Sequence, residues 1–254
     1  MNESEWLTCT DQITMLKFLL DNASDRKLRL FAVACCRRIW SLLTDERSRK
    51  VVEVAEQYAD GVVSEQELDV TAEAAAAAAE AASNDWRADQ DNGSALVVAV
   101  GCFAALEAAY NYGRRYLFGS YREFCIKGGA YAAARRAAGR SVHAVYAART
   151  DRKSAETAES AECAAQCRLL RDIFGSLPFG LLPSLNPAVL AWNGGTVKRL
   201  AETVYEERAF DRLPILADAL EDAGCTDAAI LDHCRSGGPH VRGCWVVDLL
   251  LGKE

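Results

Sequence analysis

The sequence has 254 residues, of which 50% are hydrophobic and 26% are charged, and its formal net charge is −7. This length allows one large or two small domains with a buried core, and the balance of residues excludes a disordered chain. The nearest approach to a membrane span, the apolar run from Ala95 to Leu106, is shorter than the roughly 18–20 apolar residues that span a bilayer, which excludes a membrane protein.

The N-terminal residues and the cysteines indicate the cellular compartment. Met1 to Thr10 include Glu3 and Glu5 and contain no apolar run, so we expect no signal peptide and a cytoplasmic location. The chain has 10 cysteines, and most of them stand singly within helical apolar patterns. In a reducing cytosol such cysteines are small buried hydrophobic residues, and we expect no disulfide framework.

Hydrophobic residues recur every three or four positions along most of the chain, which predicts amphipathic helices. The first clear helix begins at Ser24 or Asp25 and runs to about Leu43. Its apolar face consists of Leu28, Phe31, Cys35, Ile39 and Leu42. A second helix is predicted to begin with Thr44 as its N-cap and to end at Gly61.

The middle of the chain is rich in alanine and strongly helical in propensity. Ser64 and Glu67 have the spacing of a capping box, which predicts the start of a helix that continues through Ala82. Three more helices are predicted at about 94–111, 130–149 and 153–174. The helix at 94–111 carries almost no charge, and we expect it to be the most buried one.

Glycine and proline cluster at residues 175–187 and predict a connecting segment, 175–194. It follows a helical region at 1–174 and precedes a smaller helical unit at 195–254, which we expect to pack on the first. Within the connecting segment, Asn186 and Pro187 predict the start of a short helix, and Asn193, Gly194 and Gly195 predict its end. Asp211 and Thr226 are predicted N-caps further on. The last segment, 241–251, has a helical stripe but also the composition of a strand, and we favour a helix.

These patterns together predict an all-α fold. We expect a multi-helix bundle or an irregular α-solenoid-like array of about nine to eleven helices. No fixed sequence period accompanies the successive helices, so a regular repeat architecture is not predicted.

Several stretches resemble one protein family when they are taken together. They are 5–11, ASDRKLRLFAVACCRRIW at 23–40, 42–61, CRLLRDIFG at 167–175, 192–225 and HVRGCWVVDLLLGKE at 240–254. The set is similar to an uncharacterised family that occurs in many copies in planctomycete-type bacteria, and it covers both ends of the chain. The resemblance implies a bacterial, cytoplasmic protein with many paralogues. It implies no substrate, cofactor or catalytic residue.

A cluster of cysteine and histidine residues lies near the C-terminus, where two of the 3 histidines of the chain occur. Zinc is bound by about four thiolate or imidazole ligands, often at helix ends and turns. The candidate metal ligands are Cys225, His233, His240 and Cys244. If 241–251 is helical from its start, His240 and Cys244 share a helix face. The spacings match no standard zinc finger, and the alternative is buried cysteines beside capping or surface histidines.

Charge is unevenly distributed: residues 93–153 carry a net charge of +7, whereas 1–92 carry −8 and 154–254 carry −6. The basic segment 112–153 interleaves arginines with aromatic residues. It is a candidate surface for nucleic acid or another anionic partner. The candidate partner-binding residues are Arg114, Arg115, Arg122, Arg135 and Arg136. The alternative is that the aromatic rings are buried and the arginines reach solvent.

Motifs of known enzymes are not evident in the sequence. It contains no glycine-rich phosphate loop, His-Glu-x-x-His helix or recognisable Ser-His-Asp arrangement. We therefore predict no catalytic residue and no cofactor-binding residue. The expected function is a non-enzymatic scaffold or protein-interaction module with an unknown protein partner. A zinc-stabilised helical domain and a nucleic-acid-binding protein are the alternatives.

Overall fold

The structure is a computed structural model, and it describes most of the chain. The described residues are 1–20, 22–89, 101, 105, 129–149, 151–175, 179–180, 183 and 185–253. The predicted helix at 94–111, except for Gly101 and Ala105, lies outside these residues. Arg114, Arg115 and Arg122 lie outside them as well.

The described residues form helices and no strand, which confirms the predicted all-α fold. They contain eleven α-helices. These are α1 (Glu3–Thr8), α2 (Gln12–Leu19), α3 (Asp25–Arg38), α4 (Glu46–Ala59), α5 (Glu65–Ala88), α6 (Gly129–Ala147), α7 (Arg152–Phe174), α8 (Pro187–Glu207), α9 (Leu213–Asp222), α10 (Ala228–Arg235) and α11 (Trp245–Leu251). Two 3-10 helices, Trp40–Leu42 and Phe210–Arg212, connect neighbouring elements.

The structure confirms two predicted N-caps, Ser64 and Ser24, the latter being the first of the two candidates Ser24 and Asp25. Ser24 and Ser64 accept hydrogen bonds from the backbone N–H groups of Lys27 and Glu67, as their positions predict. At two other helix starts, where Thr precedes Asp, the prediction was wrong by one residue. Asp45 caps α4 in place of Thr44, and Asp227 caps α10 in place of Thr226. The carboxylate of aspartate is a strong acceptor for backbone N–H groups at a helix start.

Other helix ends differ from prediction for reasons in the local backbone. Asp211 does not cap α9, because it lies inside the preceding 3-10 helix. The element α8 consists of two helices, since Asn193 and Gly194 adopt left-handed backbone conformations between them. That break falls where the sequence predicts the end of the short helix that begins at Pro187. Asn186 caps the start of this helix, as predicted.

The chain divides into two compact units. The larger unit is Thr8–Cys167, and the smaller one is made of Met1–Leu7 with Arg168–Glu254. The dividing point lies within α7. The predicted division at residue 174 was based on glycine and proline content, and it stays a prediction.

In the larger unit, α3 is the central helix and packs against α4 and α6, while α4 also packs against α5. Small residues of α6, such as Ala134, Ala137 and Ala138, are fully buried, which allows helices to approach closely. The basic residues of α3 pair with acidic ones elsewhere in this unit. Arg37 contacts Glu56 at 2.9 Å, and Arg38 contacts Glu162 at 2.8 Å.

In the smaller unit, α8 packs against α9 and α11, and α9 packs against α10. Its core contains the apolar faces that the helical periodicity predicts, for example Val197, Ala201 and Leu216. The final helix α11 is buried along most of its length. This confirms a helix in the last segment, but one that begins at Trp245 and not at Val241.

No helix in the described part of the chain is both long enough and apolar enough to cross a membrane.

We predict that Phe31→Ala destabilises the larger unit by about 3–5 kcal/mol, because the ring is fully buried on α3 and its loss leaves a cavity. The control is Val70→Ala on α5, where 62% of the side chain is exposed and the change should stay within about 0.5 kcal/mol. Urea denaturation followed by far-ultraviolet circular dichroism measures both. An unchanged midpoint for Phe31→Ala would contradict the central position of α3.

Candidate metal centre

Four side chains of the smaller unit converge from four segments. They are Asp172 near the end of α7, His233 in the last turn of α10, His240 in the following turn and Cys244 at the N-cap of α11. Each offers one ligand atom, and these atoms all lie within 4.8 Å of one another. Residues 68 positions apart in the chain, Asp172 and His240, are in direct contact.

Asp172 is the centre of the group and is almost fully buried. Its Oδ1 lies 2.6 Å from Nδ1 of His240 and 3.2 Å from Nε2 of His233, and its Oδ2 accepts a hydrogen bond from the Val241 N–H at 3.0 Å. Burial alone would raise the pKa of this carboxyl, but the hydrogen bonds and charges of the two histidines lower it on balance. The carboxylate is therefore ionised and has donors on both oxygens.

His240 is oriented by contacts on both ring nitrogens. Its Nδ1 faces Asp172, and its Nε2 lies 3.2 Å from the carbonyl oxygen of Ser236. Burial lowers the pKa of His240, but the hydrogen bond and the charge of Asp172 outweigh it and the pKa is raised. A carbonyl oxygen only accepts, so the Nε2–H donates to Ser236, and Nδ1 is the nitrogen directed at the group.

His233 has a different arrangement. The indole Nε1–H of Trp245 donates to its Nδ1 at 3.0 Å. An indole N–H only donates, so Nδ1 of His233 accepts and carries no proton. The ring proton of His233 is therefore on Nε2, which lies 3.2 Å from both Asp172 Oδ1 and Cys244 Sγ.

Cys244 is fully buried. Burial, followed by the nearby charge of Asp172, raises the pKa of its thiol well above the ordinary value. Cys244 is thus a protonated thiol in the metal-free group. A reactive cysteine would need a lowered pKa and access to solvent, so the geometry does not support a Cys–His nucleophile.

The donor set and its spacing suit a transition-metal ion. Ligand atoms around tetrahedral zinc are about 3.3–3.8 Å apart for bonds of about 2.0–2.3 Å. Two distances in the group are 3.2 Å, one is 2.6 Å, and none exceeds 4.8 Å. Shifts of about 1 Å or less would therefore create tetrahedral coordination.

The structure brings together three of the four candidate ligands predicted from sequence. Cys225 is buried at the turn before α10 and is not part of the group. The expectation that His240 and Cys244 share a helix face was wrong, because the chain between them is a turn and not a helix. They converge because the turn folds back toward α7.

Sequence reasoning missed Asp172. A signal was present, since Asp172 stands among Leu169, Leu170 and Ile173, which are all buried, and an acid in such a run needs buried partners. The sequence does not identify those partners, because they lie more than 60 residues away. Asp248, another acid in an apolar run, is also buried.

Asp172, His240 and Ser236 are in contact in the arrangement acid, histidine and hydroxyl that hydrolase triads have. Ser236 Oγ lies 3.3 Å from His240 Nε2. However, the Ser236 hydroxyl donates to the His233 carbonyl oxygen at 2.8 Å. Its hydrogen points away from His240, whereas a general base must accept the hydrogen of the nucleophile. The geometry therefore favours a structural role for Ser236 in orienting His240.

Of the predicted partner-binding arginines, Arg135 is exposed and Arg136 is half-buried on α6. The other three lie outside the described residues. Binding of nucleic acid or of an anionic partner through segment 112–153 stays a prediction.

We predict that Asp172→Asn destabilises the metal-free protein by about 3–5 kcal/mol, because it removes the charge from a buried, paired group. The control is Asp218→Asn, which removes a carboxylate that is 73% exposed and pairs with Arg235, and which should cost about 1 kcal/mol or less. Both are measured by urea denaturation in the presence of a chelator. Equal effects of the two substitutions would contradict the central role of Asp172.

Comparison of the chain with protein-family models, curated proteins and solved structures finds no match. The resemblance to a planctomycete-type family stays a prediction, and any function has to be argued from the geometry of the chain itself.

Proposed function

We propose that the smaller unit binds one transition-metal ion of the zinc class through Asp172, His233, His240 and Cys244. The ion would join four separate segments of this unit and stabilise their arrangement. The observation that carries the proposal is the convergence of four suitable ligand atoms within 4.8 Å.

The chemistry of the donors selects the class of metal. A thiolate, two imidazoles and a carboxylate are ligands that zinc takes together, whereas magnesium and calcium prefer oxygen ligands alone. The metal would displace the proton of the Cys244 thiol, since a coordinated thiol is deprotonated outright. His240 already presents Nδ1 to the site while its Nε2 is held by a backbone carbonyl, an outer contact typical of metal-bound histidine.

Burial and ligand count favour a structural role for the metal. Cys244 is fully buried, and the side chains of Asp172 and His240 are 4% and 7% exposed. Four protein ligands complete a tetrahedron, whereas catalytic zinc sites keep one position for water or substrate. The proposal thus combines a non-enzymatic helical module with metal-dependent stability of its C-terminal segments.

We predict that the purified 254-residue chain, freed of metal by a chelator, binds about one equivalent of zinc. Cys244→Ser should reduce the affinity by more than the roughly 10–100-fold that loss of an outer contact costs. Competition with a chromophoric chelator measures affinity, and elemental analysis measures stoichiometry. Cobalt(II) in place of zinc should give thiolate-to-metal absorption that disappears in Cys244→Ser.

Two matched variants serve as controls. Cys234→Ser changes another buried cysteine of the same unit, and His143→Gln changes the remaining histidine, which is exposed on α6. Both should bind zinc as the wild type does.

Zinc at 100 times its dissociation constant should also stabilise the wild type by about 2.7 kcal/mol. Less than about 0.2 equivalents of bound zinc at neutral pH would contradict the proposal.

A further inference from the structure

The indole of Trp245 is held firmly beside the candidate metal centre. One side of it packs against Gly175, where a Cβ atom would lie 2.8 Å from the ring and the backbone has a φ of +49°. Its ring centre is 5.1 Å from that of His233. Any residue other than glycine at position 175 would displace the indole, so the direction of its N–H is fixed by packing.

The Trp245 N–H places the proton of His233 on the nitrogen that a metal would need. In the metal-free chain, Nδ1 of His233 accepts from Trp245, and Nε2–H is directed at Asp172 and Cys244. A metal ion at Nε2 requires a lone pair there. The ring of neutral His233 must then carry its proton on Nδ1, where it faces the indole N–H.

In the metal-bound form, two donors would thus face each other, the N–H of the buried Trp245 and the Nδ1–H of the half-buried His233. Histidines that bind metals usually donate their second ring N–H to a carboxylate, a carbonyl oxygen or water. His240 meets this requirement through the Ser236 carbonyl, whereas His233 faces a donor. The two histidines of the group are therefore unequal. The hydrogen bond of His240 favours metal binding, and that of His233 opposes it.

We propose that Trp245 is a positioning residue that weakens zinc binding, because its N–H holds the His233 proton on the nitrogen that a metal would need. The inference rests on the proposed function. Coordination would release the Cys244 thiol proton and the His240 Nδ1 proton, which faces the carboxylate of Asp172, and would move the His233 proton from Nε2 to Nδ1. Coordination would replace the two imidazole contacts to Asp172 Oδ1, while the Val241 N–H could still donate to Oδ2.

The test is Trp245→Phe in the 254-residue chain, which keeps an aromatic ring but removes the N–H. Zinc affinity should rise by roughly fivefold to 150-fold. This range is the free-energy cost of one unsatisfied buried donor, expressed as a ratio of affinities. Damage to packing would lower the affinity, so a rise cannot result from misfolding. The matched control is Trp6→Phe, another buried tryptophan of the same unit, which should leave the affinity unchanged.

Nitrogen-15 NMR of the histidine rings gives a readout that does not depend on affinity. In the metal-free wild type, His233 should be protonated on Nε2 only, and zinc should move the proton to Nδ1. In Trp245→Phe this preference for Nε2 should weaken. A wild type that already carries the proton on Nδ1 without metal would overturn the inference.

The outcomes separate this inference from the proposed function. Equal or weaker zinc binding by Trp245→Phe, with zinc bound by the wild type, overturns only the inference. Absence of zinc binding in both proteins contradicts the proposed function itself. Tighter binding by Trp245→Phe alone, with Trp6→Phe unchanged, supports both.

Discussion

A buried carboxylate organises the C-terminal unit, because a charge removed from water must be compensated by nearby donors. Asp172 finds donors in His233, His240 and the Val241 backbone, all from a segment more than 60 residues later in the chain. The end of α7 is thereby joined to the end of α10 and to the turn before α11. Hydrophobic packing alone does not specify such a junction, because apolar contacts have no preferred direction.

The same contacts determine what the group can bind. The His233 Nε2–H and the Cys244 thiol proton lie among the ligand atoms of the group. A metal ion would have to displace or move these protons. The raised pKa of the Cys244 thiol, which results first from its burial, works against metal binding. The orientation of His240 by the Ser236 carbonyl works in its favour. The proposed metal would therefore enter a group that hydrogen bonds already hold together, in contrast to a zinc finger that is unfolded without its metal.

The larger unit depends on a different balance. Arg37 and Arg38 on α3 pair with acidic side chains that are 3% and 4% exposed, and Arg29, itself buried, lies over the ring of Tyr58. The arginines at the end of α3 thus connect helices within the unit. Their charges form ion pairs inside the unit. The sequence alone does not distinguish such charges from charges that face a partner.

Sequence periodicity was sufficient for the helices, because the spacing of apolar residues and the capping side chains act within a few positions of each other. It predicted the all-α fold, the start of α3 to within the two candidates Ser24 and Asp25, and the break at Asn193 and Gly194. It also marked His233, His240 and Cys244 as possible ligands from their residue types. Only the tertiary structure joined them to Asp172 and left Cys225 out, since that depends on how distant segments pack. The tautomer of His233 depends in turn on Trp245 resting on Gly175, a contact between residues 70 positions apart.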